Sequence, residues 1–310
     1  MKVIAGTATD EIELYFQPPF DWQRMLRFFG GRSSAGVEAV ENGIYFRTIE
    51  WLGDSGLLSV RLDLQRPCLI ARIEGEASRH LAALVPKLLR LFDLHTDPAA
   101  IAQAFSQDLW LSRLVEQAPG LRIPGAWSGF ELVVRTIVGQ QVSVKAATTI
   151  TGRLVQRAGL PVVGPSHPLA GWQFPTPAAL AAANLDAIGM PTKRVAALQG
   201  FARAVAEDRV VIDAVGEDRT HLDALRKGLL ALPGIGPWTV EYTAMRAWRD
   251  ADAWPASDLV LMQAITREHP ELLKPGHQAV RSERWRPWRA YAAMHLWNEI
   301  ADRVGGERGG

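Results

Sequence analysis

The sequence has a single cysteine, Cys68, among 310 residues. That excludes an internal disulfide framework and any cysteine-clustered zinc or iron–sulfur site. No apolar run approaches the roughly 20 residues of a membrane-spanning helix. The opening MKVIAGTATDEIELYF lacks a signal-peptide pattern, so a cytoplasmic location with no membrane partner is expected. An excess of one charge is also missing: 34 basic against 33 acidic residues give a net +1. A polyanion would therefore have to be held by a local patch and by backbone N–H groups, not by a globally basic surface. There is no HExxH, no P-loop, no GxGxxG after a strand and no nucleophile elbow with Ser/His/Asp order. The seven histidines are scattered, and His295 reads as a core or capping residue.

What is present is an ordinary globular composition, 48% hydrophobic and 22% charged, long enough for two or three domains with real cores. Eleven tryptophans raise the expectation of stacking surfaces. Residues 1–95 mix strand patterns at 12–16, 43–52, 56–64 and 68–75 with helical patterns in DWQRMLRFFGGR and SRHLAALVPKLLRLFDL. The GDSG at 53–56 reads as a turn between antiparallel neighbours. This predicts an α+β domain, a small antiparallel sheet covered by helices. Beyond residue 96 strand signals fade and an all-α body is expected. Ser128-x-x-Glu131 has capping-box spacing and Thr176-Pro177 reads as an N-cap with a first-turn proline. GLPVVGPSHPLAGWQFP between them reads as a loop. Further helices are expected at 192–207, 220–230, 237–249, 258–268 and 283–303.

LLALPGIGPWTVEYTAMRAW, residues 229–248, carries the most chemistry. Two runs of helix formers flank Leu232-Pro-Gly-Ile-Gly-Pro237, a connection too short for anything but a helical hairpin. Its glycines suit a tight turn or close approach by a ligand. The second helix starts just after Gly236, so its free N–H groups and positive dipole end face whatever approaches; phosphate is the commonest such guest. Downstream, Ser257-Asp258 precedes an apolar helical run. Asp258 reads either as a helix N-cap or as a carboxylate placed near a sugar gripped by the hairpin.

LPGIGPWTVEYTAMRAW followed by WPASDLVL resembles the helix-hairpin-helix, Gly/Pro-rich loop and aspartate signature of base-excision DNA glycosylases. FQPPFDWQRMLRFFGGR, GFELVVRTIVGQQVSVKAA, GMPTKRVAAL and RWRPWRAYAAMHLW resemble, in the same order, segments of the bacterial 3-methyladenine DNA glycosylase II family. The likeness spans about Tyr15 to Ile300.

The resemblance implies an α+β N-terminal domain at 1–95, a helical domain at 126–250 ending in the hairpin, and a second helical domain made of 96–125 with 251–310. The active-site cleft would lie between the helical domains. It implies Asp258 as the catalytic carboxylate and Phe28, Trp238, Tyr242 and Trp297 as base-pocket walls, with core packing the competing reading of each. Gly234, Gly236 and Thr239 would hold a phosphate through their N–H groups, and Gln141 would fill the gap left by a flipped base. The carbonyls of Leu230, Leu232 and Ile235 would hold a structural monovalent cation, and no cofactor is expected for catalysis. Family members that cleave the strand carry a Schiff-base lysine two residues after the second hairpin glycine. Trp238 stands there, which implies a monofunctional hydrolase. The expected partner is double-stranded DNA with alkylated bases, bound by a nucleoid-associated monomer. Arg281, Arg284, Arg286 and Arg289 form a local basic cluster that would either touch DNA or be a solvated face. A same-fold enzyme for deaminated or oxidised bases, or a non-catalytic hairpin protein, are the alternatives.

Overall fold

The computed structural model describes residues 3–5, 11–213, 219–272 and 274–307. Strands β1 (Val3–Ala5), β2 (Glu11–Tyr15), β3 (Glu38–Glu41), β4 (Ile44–Trp51), β5 (Asp54–Leu62) and β6 (Cys68–Gly75) form one sheet, order β1-β2-β6-β5-β4-β3. Every pairing is antiparallel. Helices α1 (Trp22–Gly31) and α2 (Leu81–Leu91) cover it. Alternation sets the faces: in β2, Ile12 and Leu14 are buried while their neighbours are half-exposed. α1 turns Trp22, Met25, Leu26 and Phe29 inward, and Phe29 meets Tyr45 at 4.9 Å between ring centroids. The same helix leaves Phe28 half-buried on its other side.

Two sequence expectations need correction here. β3 carries two glutamates in four residues, which hid it from a strand pattern. The turn is Leu52-Gly53, both at positive φ (53° and 88°), as a two-residue hairpin requires. Asp54, Ser55 and Gly56 already lie in β5, and Trp51 pairs with Asp54, so the turn sits two residues earlier than GDSG suggests.

The body comprises α3 (Pro98–Phe105), α4 (Leu109–Gln117), α5 (Gly129–Gly139), α6 (Val144–Ala158), α7 (Pro177–Ala182), α8 (Thr192–Ala206), α9 (Arg219–Leu230), α10 (Pro237–Arg246), α11 (Leu259–Glu268), α12 (Pro275–Ser282) and α13 (Arg289–Glu307). It is not wholly helical. Inside the expected loop, β7 (Leu160–Pro161) pairs with β8 (Trp172–Gln173), and a Gly36–Ala170 bridge ties this ribbon to the N-terminal domain. α3 and α4 were unmarked by the sequence reading, yet Asp97 and Asp108 cap them through their side chains. Thr176 caps α7 as expected, accepting from Ala179 N–H at 3.2 Å. Buried residues from Ile12 to Leu94 form one hydrophobic cluster and those from Ile101 to Leu296 another.

A buried ionic network joins the two. Arg47 of β4 bridges Glu38 of β3 (2.9 Å) and Glu131 of α5. Ser34 Oγ donates to Glu131 at 2.8 Å, Tyr45 Oη to Glu38 at 2.6 Å and Arg135 to Glu38 at 3.2 Å. Two carboxylates thus balance two guanidiniums. Removing one member would strand a buried charge, at a cost of about 3–5 kcal/mol. The Ser128 capping box is therefore only half made. Ser128 Oγ accepts from Glu131 N–H at 3.4 Å, but the Glu131 carboxylate is committed to the network. The network thus ties β3 and β4 to α5, which lines the site.

Candidate active site

α9 and α10 form the expected hairpin. Its two glycines are glycine for different reasons. Gly234 has φ +83°, and a Cβ there would sit 2.6 Å from the Ala197 Cβ of α8, so both conformation and packing demand glycine. Gly236 is the N-cap of α10 at φ −103° with no side-chain cap, and a Cβ there would meet nothing within 4 Å. The open approach is thus at Gly236. Thr239, expected to hold a phosphate through its N–H group, is 2% exposed.

Behind the hairpin lies a cleft of about 1310 Å³ whose lining includes Phe28, Arg135, Gln141, Trp238, Tyr242, Asp258 and Trp297. Helical spacing explains how α10 contributes Trp238, Tyr242 and Arg246 to one face. The Trp238 and Tyr242 rings stack at 4.9 Å and 13°, and Trp297 of α13 meets Tyr242 edge-on at 6.1 Å. All four expected wall residues reach the cleft and are half-buried, where core packing would have buried them fully.

Asp258 is the centre. As N-cap of α11 its Oδ1 accepts from Leu261 N–H at 2.9 Å. The same oxygen accepts from Trp297 Nε1 at 3.0 Å, and Oδ2 accepts from Trp238 Nε1 at 2.8 Å. The N-cap and active-site readings of Asp258 are therefore compatible. The cap and two indoles orient the carboxylate into an aromatic cleft, where a fixed negative charge is worth most to a developing cation.

Three cleft arginines were missed. Arg246 donates to Tyr242 Oη at 2.9 Å and to the carbonyls of Pro124 and Gly125 at 2.7 and 2.8 Å. Its guanidinium lies 4.6 Å from the Phe28 centroid, and that of Arg32 lies 4.4 Å from it. Phe28 is thus a mount for two protein cations as well as a wall. Burial pushes the Tyr242 phenol up, but Arg246, Arg32 and Arg135 outweigh it and bring its pKa below the usual value. Arg246, four residues after Tyr242, could have been read from spacing. Nothing local in the sequence places Arg32 or Arg135 in the cleft.

At the cleft rim, Gln141 has φ +58° and its amide oxygen accepts from Arg194 of α8 at 3.1 Å. The Leu232 carbonyl, expected to face a cation, accepts from Ile235 N–H at 3.2 Å and keeps one lone pair free. Among the described residues no three His, Cys, Asp or Glu side chains gather as a metal site. The 281–289 basic cluster is largely neutralised within the protein. Arg281 pairs with Asp108, while Arg286 and Arg289 pair with Asp252 and Glu283.

Comparison with known proteins agrees with this fold. The AlkA N-terminal domain family matches residues 11–128, and the HhH-GPD superfamily of base excision DNA repair proteins matches 134–290. DNA-3-methyladenine glycosylase 2 of Escherichia coli is 34% identical over 287 residues, 92% of this chain and 95% of that protein. A probable bifunctional transcriptional activator/DNA repair enzyme AlkA of Mycobacterium tuberculosis is 36% identical over 97% of this chain, which spans only 59% of that relative's length. The 3-methyladenine DNA-glycosylase structure from Archaeoglobus fulgidus shares the fold, with TM-score 0.75, 21% identity and coverage of 94% of this chain and 98% of that one. The chain belongs to the HhH-GPD superfamily of base excision DNA repair proteins, in the branch that carries the AlkA N-terminal domain.

Proposed function

We propose that the protein is a monofunctional DNA glycosylase that hydrolyses the N-glycosidic bond of alkylated bases in double-stranded DNA. The single observation that carries this reading is Asp258, a carboxylate fixed by two indole N–H groups inside an aromatic cleft beside the α9–α10 hairpin. The hairpin N–H groups at Gly236 and Thr239 hold a backbone phosphate, and the damaged nucleotide leaves the stack to reach the cleft. As the bond to the base breaks, positive charge grows on the sugar and the Asp258 carboxylate stabilises it. The cationic base departs as a neutral molecule with the electron pair of the broken C1′–N bond. Water adds its oxygen to C1′ and gives up a proton to solvent, and the strand stays intact at an abasic site. Trp238 has no amine with which to form an imine, so no lyase step follows at that position.

Methylation at N3 or N7 of a purine makes the base cationic, which weakens its glycosidic bond and favours an electron-rich aromatic cleft. Release of 3-methyladenine and 7-methylguanine from methylated duplex DNA, resolved by chromatography, tests this; no release of either base defeats it. A second reading has its own support. Arg32, Arg135 and Arg246 line the cleft against the single Asp258 carboxylate. Arg246 is committed to Tyr242 and two carbonyls, and Arg135 to the buried network. Arg32 is therefore the donor that would suit a neutral base with a carbonyl acceptor, and deaminated bases such as hypoxanthine enter the range if it, more than the rings, dominates selection.

At the hairpin, the carbonyls of Leu230, Leu232 and Ile235 would hold a monovalent cation. Neutral carbonyl oxygens with no carboxylate among them fit a singly charged hard ion. Its positive charge would help neutralise the bound phosphate.

A further inference from the structure

The turn between α5 and α6 presents two consecutive glutamines whose amides are committed in opposite senses. Gln140 spends its NH2 group on the Gly234 carbonyl of the hairpin, at 3.0 Å. Gln141, exposed and held at φ +58°, spends its oxygen on Arg194 Nη2 at 3.1 Å. A guanidinium has donors only, so it can be met only by the amide oxygen. The Gln141 NH2 group must then point away from Arg194, and among the described residues no acceptor is recorded for it. Arg194 is well placed to enforce this. It stands one turn before Ala197, the residue on which Gly234 packs, so α8, the hairpin and the glutamine turn form one continuous surface at the cleft rim. No carboxylate among the described residues pairs with Arg194.

We infer that Arg194 is a positioning residue that fixes Gln141 as a hydrogen-bond donor, and that the protein thereby senses the base opposite the lesion. The inference rests on the glycosylase reading for its substrate, a duplex with one nucleotide extruded beside the cleft. A side chain entering that gap faces the unpaired edge of the orphaned base. An apolar wedge would fill the space without distinguishing bases, whereas an amide presenting only N–H groups selects for acceptors. Cytosine offers two adjacent acceptors, N3 and O2. Thymine offers O2 and O4 on either side of a donor. Adenine offers only N1, and guanine only O6 beside two donor groups. The expected order is cytosine first, thymine next and purines last.

The test uses duplexes carrying a stable abasic analogue (a tetrahydrofuran) opposite each of the four bases, with Kd read by fluorescence anisotropy at fixed salt. Wild type should bind the cytosine duplex about two- to tenfold tighter than the guanine duplex, the span of one net hydrogen bond. Gln141→Leu should level the four affinities, and Arg194→Leu should compress them to within twofold because the amide is free to turn over. Arg194→Lys, which keeps a donor for the amide oxygen, should retain the order. Equal wild-type affinities, failure to bind any of the duplexes, or an undiminished spread of affinities in Arg194→Leu would overturn the inference. Base release from matched lesion duplexes is measured separately. Ordered binding without any release counts against the glycosylase reading alone, and release with equal binding counts against opposite-base sensing alone.

Discussion

Replacing Gly234 and Gly236 separately, each by alanine, should divide hairpin stability from DNA anchoring. At Gly234 the new Cβ would lie 2.6 Å from Ala197 Cβ and the backbone is at φ +83°. Left-handed backbone costs a non-glycine residue about 1–2 kcal/mol, and overpacking against a helix adds about 1–3 kcal/mol. Gly234→Ala should therefore lose about 2–5 kcal/mol of unfolding free energy. Gly236→Ala meets nothing within 4 Å at φ −103°, so its loss should stay at about 1 kcal/mol, the amount by which alanine is the poorer N-cap. Its methyl group, however, would stand where the proposed reading brings a phosphate to the α10 N-terminus, so DNA affinity should fall on every sequence alike. Urea denaturation with linear extrapolation measures the first effect and anisotropy on duplex DNA the second. Adding Ala197→Gly to Gly234→Ala should recover the steric part, less the roughly 1 kcal/mol that glycine costs inside α8. Equal stability losses at the two glycines, or no recovery in the double variant, would refute the packing argument.

Trp238→Phe keeps a ring in the cleft but deletes the 2.8 Å bond to Asp258. A hydrogen bond to a charged group is worth about 1.5–3 kcal/mol, so single-turnover base release should slow by about tenfold or more. A rate within twofold of wild type would show that the indole does not position the carboxylate. Arg289→Gln weakens the compensation of buried Asp252, 6% exposed, and should cost about 1–3 kcal/mol in stability. The slope of log Kd against log salt should not move, because this arginine faces protein and not phosphate; a loss of about one unit of slope would contradict that. His295 is held neutral by burial first and by Arg24 second, which push its pKa from 6.5 down to about 4. A depressed folded-state pKa gives stability that is full above pH 6.5 and lost as pH falls through 4. About 3 kcal/mol should disappear across that window by linkage, and a His295→Leu variant that retained the same pH dependence in urea titrations would exclude this cause.

Much of the site was legible because it depends on local signals. The hairpin is spelled by Pro and Gly between two helical runs, and Asp258 stands just after a turn and just before an apolar helix. The i, i+4 spacing of Trp238 and Tyr242 survives in the fold as a stacked pair. What the sequence concealed is convergence across distance. Trp297 lies 39 residues beyond Asp258, and nothing local says that its N–H group meets that carboxylate. The same holds for Arg194, whose partner Gln141 lies 53 residues earlier. The basic cluster at 281–289 was misleading for the complementary reason, since Asp108 and Asp252, which neutralise most of it, are remote in sequence. β3 was hidden because Glu38 is buried by an ionic network, where an alternating strand would show an apolar residue. Gly234 was recognised as necessary, but its reason is Ala197, a contact between α8 and the hairpin that no spacing encodes.

The most direct test of the account is single-turnover release of 3-methyladenine from duplex DNA by wild type and by Asp258→Asn. In the variant one carboxylate oxygen becomes an NH2 group facing an indole N–H, so a loss of about 1–3 kcal/mol in stability accompanies the chemistry, and the assay is run where both proteins remain folded. The account predicts rapid release by wild type and a fall of about 100- to 1,000-fold or more in the variant, with binding to the abasic analogue retained. Release by folded Asp258→Asn within threefold of wild type would contradict it.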